Sequence, residues 1–78
     1  MAEKDLVEFI AKALVDNVEQ VQINVIESEK STILELSVAE QDIGKIIGKH
    51  GRIAKAIRTI LSAVSNKSNK RVLLDIID

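Results

Sequence analysis

The spacing of apolar residues changes three times along this chain, and the order of those changes limits the available folds more than any other feature. Leu6, Val7, Phe9, Ile10, Ala13 and Leu14 recur at helical spacing, which predicts an amphipathic helix over residues 3–16. Val21, Ile23 and Val25 then alternate with Gln20, Gln22 and Asn24, the period of two expected of a half-buried strand. A polar turn from Glu27 to Ser31 leads into a second alternating run, Leu34, Leu36 and Val38 against Glu35 and Ser37, so an antiparallel hairpin is expected. Asp42 is placed to cap a short helix that ends at Ile46 or Ile47, with Gly48 as its stop. Ile53, Ile57, Ile60, Leu61 and Val64 mark one face of a longer helix reaching about residue 65. Ser65 to Lys70 reads as a polar loop, and the nearly all-apolar run Val72 to Ile77 as a strand with a buried place in a sheet. The order is α-β-β-α-α-β, without an internal repeat.

Seventy-eight residues give room for one small domain, residues 1–78. A chain of this size buries only about 60% of the surface it exposes unfolded, so a partner or self-association would help it. One Phe and no Trp, Tyr or Pro leave the core to Ile, Val, Leu and Ala. The absence of Cys excludes disulfides, thiolate catalysis and Cys-based zinc sites, and a single His argues against any metal site or cofactor. No apolar run approaches the roughly 18 residues needed to span a bilayer, and the start Met1-Ala2-Glu3-Lys4-Asp5 has no leader character. A cytoplasmic protein without membrane contact is expected.

The formal net charge of −1 conceals a strong division. Residues 1–44 carry a net −7, whereas residues 45–71 carry eight Lys and Arg and no acid at all. Such a block creates a local positive field whatever the total.

That basic block contains Ile46-Ile47-Gly48-Lys49-His50-Gly51-Arg52-Ile53-Ala54-Lys55-Ala56-Ile57. Two glycines flanking two polar residues between two helices let a backbone come close to a ligand. The following helix is expected to turn its unpaired amides toward the loop and favour an anion, with Lys49 and Arg52 adding full charges. A phosphate is the natural ligand. The Walker A spacing fails, because Gly44 precedes Gly48 by one residue too few and His50 stands where Ser or Thr is required. The dinucleotide fingerprint fails on spacing too. A helix-turn-helix remains geometrically open, although its turn usually carries one Gly. Catalysis is not expected, since no carboxylate lies near a nucleophile or a second His in the pattern.

The stretch resembles the core of the KH domain, Ile-Ile-Gly-x-x-Gly followed by spaced apolar residues. It does so through Ile46, Ile47, Gly48, Gly51, Ile53 and Ile57, with Ile53 one place early and Ala54 in the strict position. The element order matches the type II arrangement over essentially the whole chain, which looks like the small bacterial single-KH RNA-binding proteins of the KhpA type.

The resemblance implies an α+β fold: a three-stranded sheet with three helices on one face, strand 71–77 beside one hairpin strand, and the helix-turn-helix core with its Gly-x-x-Gly loop at 42–65. It implies a groove for single-stranded RNA, with single-stranded DNA as a second candidate. Gly48, Lys49, His50, Gly51 and Arg52 would hold phosphates. Ile43, Gly44, Lys45, Ile46, Ile47, Lys55 and Arg58 would line the groove, with 65–70 as the variable loop. The lack of aromatics is compatible with a KH groove and counts against a stacking platform. The family further implies an RNA chaperone or post-transcriptional regulator linked to cell growth and shape, acting as a homodimer or with a larger KH-containing partner. The alternative is a protein-interaction module in which RNA binding is secondary.

Overall fold

In a computed structural model the described residues are 2–65 and 70–77. Helix α1 covers Glu3–Leu14, strands β1 and β2 cover Gln22–Glu27 and Ser31–Ser37, helix α2 covers Ile43–Ile47, helix α3 covers Arg52–Ser65, and strand β3 covers Arg71–Ile77. Short 3-10 turns join them at Val18–Gln20, Glu40–Asp42 and Lys49–Gly51. The fold is α+β, a sheet of three strands with helices on one face, as the resemblance implies.

The hairpin closes where Ser28 and Ser31 can replace water for one another. The Ser28 amide donates to the Ser31 carbonyl at 2.8 Å, and the two hydroxyls lie 2.9 Å apart. Antiparallel pairing sets Ile23 beside Leu36 and Val25 beside Leu34. Strand β2 then pairs on its other side with β3, in parallel, placing Leu34 beside Leu74 and Leu36 beside Ile76. The alternation read in the sequence therefore faces one layer of helices. Leu34, Leu36 and Leu74 meet Val7 and Ala11 of α1, Ile46 of α2, and Ile57 and Leu61 of α3 in one aliphatic core. Each such fully buried Leu or Ile contributes about 1.5–3 kcal/mol relative to exposure.

Three sequence expectations are corrected by this packing. Strand β3 is an edge strand with only Leu74 buried, and Leu73 keeps 40% of its surface. Its apolar run reflects two unequally covered faces, because α3 lies on one side alone. Phe9 is 68% exposed, and Ala13 is also exposed, because α1 turns Val7 and Ala11 inward, with Ile10 and Leu14 packed beside them. On α3 the buried positions are Ala54, Ile57, Leu61 and Ser65, which leaves Ile60 outside. Helix α1 also stops at Leu14, two residues before the predicted end, where Val15 becomes extended. Among the described residues no helix is long and apolar enough to cross a membrane.

Candidate nucleic-acid interface

Residues 43–47 form little more than one helical turn, and the chain leaves this turn sharply. The Gly48 amide donates to the Gly44 carbonyl at 2.8 Å, after which Gly48 adopts φ 79°, ψ 171°. That combination is open essentially to glycine alone. Ile53 explains why the side-chain space is empty as well: a Cβ on Gly48 would lie 2.5 Å from its Cγ1. Gly51 repeats the positive φ at 73°, with open space where a Cβ would stand. Between them His50 is also left-handed, at φ 59°, ψ 25°. Three of the four loop residues thus share a positive φ, and the loop ends directly in α3.

The sequence reading expects unpaired amides at the start of α3, and the first of them, that of Arg52, is spent in the loop's own turn. The 3-10 turn consumes two amides, with Gly51 donating to the Gly48 carbonyl at 3.1 Å and Arg52 to that of Lys49. That leaves the amides of Lys49 and His50 outside the turn's own two bonds among the described residues. Around them Lys49, His50, Arg52 and Lys55 are exposed, and no described acid lies within ion-pair distance of them. An exposed cation without an internal partner keeps its charge for a ligand.

The remaining groove residues divide. Ile47 stands next to the loop at 37% exposure, and Gly44 is exposed beneath it. Ile43 is half-buried and packs against the core. Ile46 is fully buried and offers no surface to a base, so its place in the groove is corrected: it is the residue by which α2 is seated. A five-residue helix is too short for its period to show which Ile faces in. Arg58 is exposed and lies across the seam to the edge strand, with Nε and Nη2 donating to the Leu74 carbonyl at 3.4 and 3.3 Å. Of the variable loop 65–70, residues 66–69, Lys67 among them, fall outside the described residues, while Lys70 lies 3.9 Å from Glu27.

Lys45 is the second correction. Its ammonium turns away from the loop and bonds Asp16 Oδ2 at 2.6 Å and Asp42 Oδ1 at 3.1 Å. These two bonds, that to Asp16 first, hold the Lys45 ammonium above the usual lysine range. Asp42 in turn makes no capping bond to α2. Its fully buried carboxylate accepts from the Asn17 amide at 3.0 Å, the Asn17 side chain at 3.0 Å and the Asp16 amide at 3.3 Å. The Asn17 amide is the chief reason its carboxyl lies well below the usual carboxylate range; burial opposes that shift and is outweighed. Asn17 and Asp16 escaped the sequence reading because nothing local marks them: they stand 25 and 26 positions from the group they hold.

Comparison with known proteins identifies the family. The family model "KhpA/KhpB, KH domain" matches residues 4–76. The chain is 60% identical over 76 residues to the "RNA-binding protein KhpA" of Borreliella burgdorferi, covering 97% of this chain and 93% of the relative. It is 57% identical over 74 residues to the protein of that name in Clostridium perfringens, covering 95% and 99%. It is 52% identical over 77 residues to that of Aquifex aeolicus, covering 99% and 98%.

Proposed function

Because this chain belongs to the KH-domain family of KhpA and KhpB, we propose that it binds RNA, and that it does so by clamping the backbone of a single strand at Gly48–Gly51. The observation that carries the reading is the loop itself. Its positive-φ turn sets the Lys49 and His50 amides beside Lys49, Arg52 and Lys55, which have no acidic partner among the described residues, an arrangement suited to phosphate. Ile47 and Gly44 supply the apolar floor, and Arg58 borders it on the β3 side. One groove of about four nucleotides reads little sequence, which suits a general RNA chaperone or post-transcriptional regulator in the cytoplasm better than a reader of one site. Self-association, or pairing with a larger KH-containing partner, would add avidity.

The test replaces Lys49 and His50 together by Asp. Both are exposed, and Asp tolerates the left-handed backbone at position 50, so the circular dichroism and melting of the variant should match the parent. RNA affinity should fall at least about tenfold, because one lost charge-assisted hydrogen bond of about 1.5–3 kcal/mol already has that effect. Undiminished RNA retention by the folded variant would sink the clamp. It would favour a second reading, a protein-interaction module, which the exposed Ile60 beside Ala56 and Thr59 on the outer face of α3 supports.

A further inference from the structure

Asp42 is the one fully buried ionisable side chain among the described residues, and the clamp does not use it. An ionised carboxylate out of water is costly unless donors replace the water. Here all but one come from a distant part of the chain. Asn17 supplies its amide and its side chain, Asp16 its amide, and Lys45 its ammonium, which also reaches the Asp16 carboxylate. The result is a staple between the turn that leaves α1 and the start of α2.

What the staple controls follows from the length of α2. Five residues cannot hold a direction by helix propensity, since nucleation alone outweighs so few bonds. What orients α2 is Ile46 sunk in the core with Ile43 packed against it, and Asp42 with Lys45 at its first turn. The far end of α2 delivers Gly48, whose amide is bonded back to Gly44. The direction of α2 therefore sets where the loop begins. We infer that Asp42, held by Asn17 and Lys45, is a positioning residue for the loop at Gly48–Gly51 and tunes its grip on RNA from a site that RNA never touches. This rests on the reading of that loop as an RNA clamp.

The charge of Asp42 makes the test sharp. Replacing Asp42 by Asn removes a negative charge and loosens Lys45, so a field effect alone would tighten RNA binding. Positioning requires the opposite sign. Binding of a labelled single-stranded oligoribonucleotide to the full chain is measured at a temperature where circular dichroism shows every variant folded. Asp42→Asn should weaken binding by about fivefold or more, the lower end of the coupling one site commonly exerts on another. The amide resonances of Gly48 and Gly51 should move with it. Asn17→Ala, which changes no charge, should weaken binding in the same direction. Leu74→Val, destabilised but remote from the staple, should retain the parent affinity.

Unchanged or tighter binding by folded Asp42→Asn overturns the inference, and so does an equal loss in the Leu74→Val control. If Asp42→Asn does not fold, unchanged binding by Asn17→Ala overturns it. A parent chain that binds no RNA defeats the clamp reading itself. Resonances of Gly48 and Gly51 that stay unmoved in Asp42→Asn would then overturn the staple on its own terms.

Discussion

At Gly48 and Gly51 the same residue type is required for different reasons, and substitution should separate them. An alanine at Gly48 meets Ile53 Cγ1 at 2.5 Å and must also hold a backbone conformation nearly exclusive to glycine. Strain of about 1–3 kcal/mol and overpacking of similar size both apply. An alanine at Gly51 meets no atom and bears only the left-handed penalty, about 1–2 kcal/mol. Gly48→Ala should therefore be the less stable of the two in urea unfolding, and equal midpoints would refute the role given to Ile53. The need for two glycines was legible from their spacing. That one of them also shelters Ile53 was not, since a contact across the loop leaves no trace in the spacing. Asp42 shows the same limit: its position before an apolar turn pointed to a helix cap, whereas its partners come from the end of α1.

Elements were more legible than the faces they bury. The two helical periods and the alternating runs located α1, α3, β1 and β2, whose apolar residues share one side, although β1 keeps Val25 exposed and only half-buries Ile23. Strand β3 was misjudged because Leu73 and Leu74 are equally apolar, and only the register with β2 and the position of α3 decide which is covered. Leu74→Ala should cost about 2–5 kcal/mol as a core truncation. Leu73→Ala should cost no more than about 0.5 kcal/mol, as at other surface positions. Denaturant midpoints for the pair test the assignment of β3 as an edge, which similar losses would contradict.

Over the whole molecule the charge division becomes an arrangement in space. Loop and α3 carry Lys49, Arg52 and Lys55 without an acidic partner among the described residues, while Lys45 is neutralised by Asp16 beyond α1 and Asp42 before α2. Three cations at one site with no acidic partner among the described residues predict a definite ionic-strength response. Each phosphate neutralised on a single strand contributes about 0.7 to the slope of log K against log salt, so RNA affinity should fall with a slope of roughly −2. A slope near zero would mean that the unpaired cations do not meet phosphate, and it would favour the protein-interaction reading. This polarity could be read from the order of residues alone; the withdrawal of Lys45 from it could not.

The parallel pairing of β2 with β3 bears on the order of assembly. Ser31 and Arg71, forty positions apart, must meet before that pairing begins, whereas the β1–β2 hairpin closes across a short local turn. Loop-closure entropy therefore favours the hairpin as the earlier structure and delays the β2–β3 contact. Until that contact forms, the strand destined for the middle of the sheet has an open hydrogen-bonding edge, the kind of surface that recruits other chains. The loop at Gly48–Gly51 lies within the segment still to be closed, so the clamp matures only as that edge is sealed.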